Sequence, residues 1–536
     1  QINGPSYRIN GVQKDTPRRL KRVILTLPTA TSSQEQAIVK SKVNGALKMV
    51  WDRLAHWGQK TKKNQPELKI DWDEASCTQV VYLYSEIMAK YEGRMTPYLN
   101  IFGKLRKDPN KEEKKSIKIA CIDIGGGTTD LMVTTYYQRS QESLGPNQEF
   151  REGFRVAGDD LIAEVISSVI IPKLKASITG VEENKIDAIF HKLFARNVSG
   201  VNSTRKQLRR QFGLRVLNPI ALALVEKSMN CLPEMNIDVS EIFKSENVDK
   251  PPRRLLNYLD EEVISAGAID WSIMDQSFEF SHKEISQVFE RLFRVLLENI
   301  SEVVQKLKVD IVLLTGAPSR HPLVKNMLVN SCIAPPNRII AMHDYHTGAW
   351  YPFRNSVNKV GDPKSTVAVG AMLIAMSDKR IQNFNIPTEK FRMKSTAKYI
   401  GRMELGGQIL NDNILFTPND IAAGINATQE IYSPISIGSR QLNVERWKTS
   451  HLYQLAFTKG APTGSTPYTV EIKSRDTLGA AGAIGALTAQ ALKESFEIVE
   501  ILDSEDRRIP NTECNLSLQT LGEDGEYWLE TGEFLR

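Results

Sequence analysis

Hydrophobic positions follow two rhythms along this chain, and the change of rhythm divides it. Val23 to Leu27 (VILTL) are mostly apolar, which predicts a buried strand. Ser32 and Glu35 then stand at capping-box spacing. Val39, Val43, Leu47, Val50 and Leu54 recur every three or four residues, so an amphipathic helix is expected to run to about Trp57. A second helix is expected from Glu74 to Tyr91. The charged run KLRKDPNKEEKK, from Lys104, reads as a connector and a boundary.

Next, IKIACIDIGGGTTDLMVTTYYQ begins at Ile117: two apolar runs flanking three glycines, which predicts a hairpin. In FRVAGDDLIAEVISSVIIPKL a strand ends at Gly158 and an aspartate-capped helix begins. Residues 176–306 read as mostly helical, with strands expected at 263–273 and 277–280. VDIVLLTGAPSR is a strand of the buried, parallel-sheet kind that breaks at Gly316. DPKSTVAVGAMLIAM starts another helix after Pro363. From about Ile381 short alternating segments (YTVEI, FEIVEIL, CNLSLQTL) lie between Gly, Pro, Asn and Asp, the pattern of a β-rich domain.

Composition narrows the class. At 536 residues the chain exceeds one core, and it is 41% hydrophobic and 25% charged, as in ordinary globular proteins. A net charge of +6, from 69 basic and 63 acidic residues, argues against a dedicated nucleic-acid binder. Cys77, Cys121, Cys231, Cys332 and Cys514 are scattered without CxxC spacing, which suits reduced thiols in a cytoplasm-like compartment. No apolar run reaches the roughly eighteen residues of a membrane span. The small-residue stretch LGAAGAIGALTAQAL, from Leu478, comes closest and reads as a packed helix or loop. The first residue is glutamine and no signal peptide is recognisable, so a fragment of a longer protein is expected.

The glycine hairpin carries the candidate chemistry. A two-residue primed turn at Gly126 and Gly127, with positive φ at both, would pair residue 125 with 128, 124 with 129, and Asp123 with Asp130. The two carboxylates would then be cross-strand neighbours, their Cβ atoms roughly 5 Å apart. Such a pair repels itself unless a cation lies near. The amides of Gly125 to Thr128 would make an anion-binding concavity beside it. A hydrated divalent cation carrying a polyphosphate meets both conditions. The alternative is a glycine-rich hairpin with solvated aspartates at its tip. The run is neither a Walker loop nor a GxGxxG fingerprint.

DIGGGTTD resembles the second phosphate loop of the actin, heat-shock chaperone and sugar-kinase superfamily of ATPases. VAGDDLIAEVI, VDIVLLTGAPSRHPLV and DPKSTVAVGAMLIAM resemble the later strand–helix junction, adenosine loop and closing helix of that superfamily, in order. VILTLPTATSSQEQAI and SEIMAKY resemble the end of its first half. More narrowly, YHTGAWYPFR and the β-rich tail resemble the bacterial SrfB-type virulence-factor family.

The superfamily resemblance implies an α/β fold with actin-like (ribonuclease H-like) ATPase lobes. The first lobe, residues 1–115, would be incomplete. Residues 116–175 and 309–380 would form the second lobe, 176–308 a helical insertion, and 381–536 a β-rich C-terminal domain. It also implies ATP or ADP with Mg2+. Asp123 would hold the metal through water, Asp130 would orient water or the metal, and Glu86 would be the acidic residue near it. Gly125, Gly126, Gly127 and Thr128 would cradle phosphates, with Gly158 and Asp159 near the ribose and phosphates. Gly316, Ser319 and Arg320 would contact adenosine, and Lys206 or Arg209, in STRKQLRRQFGLR, the base. A solvated helix face and a nucleic-acid patch are the other readings of that basic run. Ala317 stands where the superfamily usually has a second glycine. No DxGT-like first phosphate loop is present in QINGPSYRINGVQKDTP.

Three functions follow from the resemblance: an ATPase whose conformational change a protein partner reads through the β-rich domain, an inactive nucleotide-binding scaffold or filament former, and a small-molecule kinase. A bacterial cytoplasmic location is expected, with secretion still open. HDYH, from His343, has metal-ligand residue types but no partner cluster, and reads as a loop. Neither GxSxG nor HExxH occurs.

Overall fold

The computed structural model describes residues 20–55, 65–196, 198, 200–230, 232–332, 334–377, 380–447, 449–458, 464–475, 494–519 and 527–535. The expectations for residues 1–17, for helix beyond Ala55, for Cys231 and for residues 478–492 lie outside these.

β1 (Arg22–Ile24) pairs in parallel with β2 (Glu67–Lys69). With only one neighbouring strand it is shorter and less buried than its apolar run suggested. Between them runs α1 (Ser33–Ala55), which starts at the expected capping box: the Ser32 amide donates to Glu35 Oε2 at 2.8 Å, and the Glu35 amide to Ser32 Oγ at 3.4 Å. Asp73 caps α2 (Glu74–Tyr84), accepting from the Ser76 amide at 2.7 Å. A wider helical turn continues α2 through Lys90. α3 (Met95–Phe102) follows.

The charged run after α3 is a hairpin, not a connector. β3 (Lys104–Lys107) pairs antiparallel with β4 (Glu113–Ile124). Asp108 closes the turn by accepting from the amides of Asn110 and Glu112, at 2.8 and 3.0 Å. β5 (Thr129–Gln138), β6 (Leu144–Phe154) and α4 (Gly158–Val165) follow.

The helical region contains α5 (Glu183–Phe194), α6 (Ser203–Phe212), α7 (Asn218–Ser228), β7 (Glu234–Asp238), α8 (Arg253–Ser265), β8 (Ser277–Ser281) and α9 (His282–Lys306). The strand expected at 263–273 does not form. Leu255, Leu259 and Val263 recur every fourth residue and are buried together on α8. The partner of β8 is instead β7, whose Met235 and Ile237 point inward between three polar residues. β9 (Ile311–Thr315), α10 (Pro322–Ser331), β10 (Ile339–Ala341) and α11 (Ser365–Ser377) complete this part.

The main sheet has the order β10-β9-β4-β5-β6, with β3 alongside β4. β4 runs parallel to β9 and antiparallel to β5. Ile117, Ile119 and Cys121 face one hydrophobic core, under α2 and α11. Ala120, Ile122 and Ile124 face the other, under α4 and α9. Burial on both faces explains why β4 has no polar alternation.

Beyond α11 come β11 (Tyr399–Arg402), β12 (Ile414–Phe416), β13 (Ala427–Ile431), β14 (Ile435–Arg440), β15 (Ser450–Phe457), β16 (Tyr468–Ser474), β17 (Phe496–Leu502), β18 (Arg508–Ile509) and β19 (Cys514–Leu518). They form a five-stranded and a four-stranded sheet around a third core, as the alternating segments implied.

The last described residues leave these sheets. Residues 527–535 lie along the helical region, with Trp528 and Phe534 in its core. The amides of Phe534 and Leu535 donate to the Phe194 carbonyl, at 2.9 and 3.0 Å. Buried Arg209 donates Nε to the Thr531 carbonyl at 2.8 Å and pairs with Glu533. Arg209→Ala would strand both acceptors. It is expected to cost about 2 kcal/mol, measured as a fall in thermal midpoint.

Candidate functional site

The Asp123–Asp130 pairing read from the sequence is the observed register, with Ile124 opposite Thr129. The Gly125 amide donates to the Thr128 carbonyl at 2.9 Å. The turn itself differs from the expectation, because none of Gly125, Gly126 and Gly127 has positive φ. The start of α4 shapes it: the Gly158 amide donates to the Gly125 carbonyl at 3.0 Å, and the Asp159 amide to the Gly126 carbonyl at 2.7 Å. A two-residue hairpin needs a primed turn to keep its strands twisted together. Here the helix holds the loop carbonyls from outside instead. The amides of Gly126, Gly127 and Thr128 donate to no group among the described residues, so consecutive N–H groups stay available to an anion.

Asp130 is buried. Its Oδ2 accepts from the Thr29 amide at 3.1 Å, and its Oδ1 has no partner among the described residues. Thr29 is itself held, because buried Arg151 on β6 donates Nε to its carbonyl at 2.9 Å. Loss of solvation, with the neighbouring Asp123 charge second, pushes the Asp130 carboxyl up to about 8. Asp123 is half-buried and is pushed up to about 7, by desolvation and then by Glu74, against a smaller opposing pull from Lys364.

A cleft of about 1070 Å³ opens at this hairpin. Asp123, Gly125 and Gly126 meet there with Gly158 and Asp159 from α4, and with Gly316 and Arg320 from the segment after β9. Gly316 has φ 90°, and a Cβ there would lie 1.9 Å from the Ile124 carbonyl oxygen, so only glycine lets β9 end against β4. Ser319 is buried and donates to the Gly316 carbonyl at 2.7 Å, which shapes this turn without lining the cleft. Ala317 and Pro318 line it.

Other expected residues stand apart. Asp130 lies behind Asp123, and Gly127 and Thr128 are beyond the lining. Glu86 faces away: it accepts from Lys90 Nζ and the Tyr345 hydroxyl, each at 2.6 Å. Besides Asp123, Asp159 and Glu226, the cleft is lined by Glu74, in the first turn of α2, its carboxyl raised by burial and then by Asp73. The acidic pair opening α2 directly after β2 was its signal in the sequence. Lys206 is exposed on α6 and absent from the cleft wall, and Arg209 is engaged by Thr531 and Glu533. One or the other was expected at the base in one reading of that basic run, and a solvated helix face was another. The nearby wall is instead α7, through Asn218, Leu222 and Glu226.

Tyr527 was also not foreseen. Its hydroxyl donates to Asp159 Oδ2, and Trp528 Nε1 donates to the Asp159 carbonyl at 2.8 Å. Nothing local in the sequence links residues so far apart. Among the described residues no group of three or more His, Cys, Asp or Glu side chains is placed to hold a metal, His343 and His346 included. The four described cysteines are free and buried. No described helix is long and apolar enough to cross a membrane.

Together these features define a mixed α/β protein with a glycine-lined, acid-bearing cleft and an attached β-rich unit. The chain belongs to the SrfB family: the model for virulence factor SrfB matches residues 1–535. No curated protein matches the sequence.

Proposed function

We propose that the cleft binds a magnesium nucleotide and that the protein works as an actin- or chaperone-like ATP switch. The observation that carries this is the convergence of four segments distant in sequence: Asp123 with Gly125 and Gly126, Gly158 with Asp159, Gly316 with Arg320, and Glu74. Of the free amides of the glycine loop, that of Gly126 belongs to the cleft wall and suits a phosphate oxygen, and the cleft's volume suits a nucleotide-sized ligand. Arg320 offers a planar guanidinium that can stack on a base.

The fit to magnesium is partial in a characteristic way. The protein offers the Asp123 carboxylate on the cleft wall and, behind it, one orphaned oxygen, Asp130 Oδ1. Magnesium keeps several waters and takes its other ligands from phosphates, so it does not need a complete protein cage. Asp123 would hold that hydrated ion, and Asp130, fixed by Thr29, would accept from one of its waters. Contacts between β6 and the β-rich unit, such as Gln441 Nε2 to Glu152 at 2.8 Å, offer a route by which a partner could read closure.

Isothermal titration of the protein with ATP tests the binding. Magnesium-dependent binding is expected, weakened at least tenfold (about 1.4 kcal/mol) by Asp123→Asn. Equal ATP affinity with magnesium and with EDTA, or in both proteins, rejects the assignment. Phosphate release by the same samples separates an ATPase from a scaffold that binds without turnover.

A further inference from the structure

A second cavity of about 260 Å³ adjoins the cleft and shares Arg22, Ala375 and Arg380 with it. Its character is different. Arg22, Lys69, Arg380 and Arg392 line it, against the acids Asp71 and Glu389, over buried Trp72.

The pairing of these charges is uneven. Arg22 and Lys69 share one carboxylate, Glu67, at 3.1 and 3.0 Å, and Glu67 is not part of the lining. Asp71 lies 3.9 Å from Lys40, so its charge is drawn outward. Arg380 and Arg392 have no ion pair and no side-chain hydrogen bond among the described residues. Two guanidiniums without an ion pair thus line one concavity, with two further cations and the acids Asp71 and Glu389 on its wall. An oxyanion that accepts paired N–H bonds from each fork is the ligand this geometry suits.

We propose that this cavity binds a phosphate group, either free or at the end of a small phosphomonoester. A carboxylate offers two oxygens and one charge to the two unpaired guanidiniums, whereas a phosphate dianion offers three terminal oxygens and about two charges. The cavity, at about 260 Å³, exceeds a single phosphate in volume, which leaves room for an ester group. The site needs no metal, because its charge comes from side chains. That separates it from the acid-lined end of the cleft, and it stands whether or not a nucleotide binds there.

The test is calorimetric titration of the whole chain, in EDTA, with inorganic phosphate and separately with glycerol phosphate. Binding with a dissociation constant below about 1 mM is expected for at least one of them. Arg380→Ala and Arg392→Ala should each weaken it about tenfold, and the lysine variants less, since lysine keeps the charge and loses the fork. Both arginines are exposed, so the variants should fold. Tighter binding of glycerol phosphate assigns the site to a phosphomonoester; tighter binding of the inorganic ion assigns it to free phosphate. No binding of either probe, or binding that neither alanine variant changes, overturns the proposal.

Discussion

Gly370→Ala is expected to lower stability by more than about 3 kcal/mol and to reduce the thermal midpoint sharply. Gly370 lies on α11 where that helix crosses α2. A Cβ there would meet the Cys77 carbonyl oxygen at 2.0 Å, its carbon at 2.4 Å and the Cys77 Cα at 2.8 Å. All three are backbone atoms, so no rotamer change relieves the clash and the helices must separate. Both pack on the same face of the main sheet, in a core of fully buried side chains such as Val80, Leu83 and Ile374. α11 also gives Val367 and Ala371 to the cleft, and α2 gives Glu74, so the displacement would reach the site. Gly45→Ala is the control. It sits on exposed α1 with nothing within 4 Å of a new Cβ, and should gain about 0.5–1 kcal/mol from helix propensity. Similar melting curves for the two variants would refute the close crossing.

The second large effect is a pH dependence that Asp130→Asn removes. In the folded protein Asp123 and Asp130 keep their protons up to about 7 and about 8, whereas in the unfolded chain both ionise near 3.8. Between these limits the folded state binds more protons. Stability is therefore complete below about pH 4 and declines as pH rises through 7 to 8. For Asp130 alone the loss is bounded at on the order of 5 kcal/mol. Asparagine resembles the protonated acid in shape and can still accept from the Thr29 amide. The variant's margin over wild type should already show at pH 5.5 and be clearly larger at pH 8.5, in EDTA, by circular dichroism. A difference that is the same at both pH values would show that Asp130 does not titrate there. A cation beside the pair would favour the ionised form, so magnesium should recover wild-type stability at high pH and do little for the variant.

Local pattern carried much of this structure. The Ser32–Glu35 cap, the acid register across β4 and β5, the break at Gly316 and the helix after Pro363 are all where the sequence implied, because each depends on residues within a few positions of one another. The alternation beyond Ile381 likewise announced strands, since one buried face imposes a period of two. β7 escaped notice because five residues with two apolar side chains resemble a loop until β8 pairs with them. The helical end of α8, through Ser265, was read as strand because its apolar residues are also compatible with a short buried run.

The amino-acid sequence thus determined by itself the glycine hairpin and the capped helices and buried strand that flank it in sequence, and that two aspartates face each other across it. Tertiary structure decided which acid joins them. Glu74 enters the cleft, while Glu86, farther along the same helical stretch, turns to Lys90 and Tyr345. It also gave Arg209 to the chain's end, placed Tyr527 on Asp159, and let α4 shape the glycine turn without positive φ. Periodicity and capping arise from neighbours along the chain and can be read locally. Side-chain partners hundreds of residues apart depend on how the elements pack, and no local pattern encodes them.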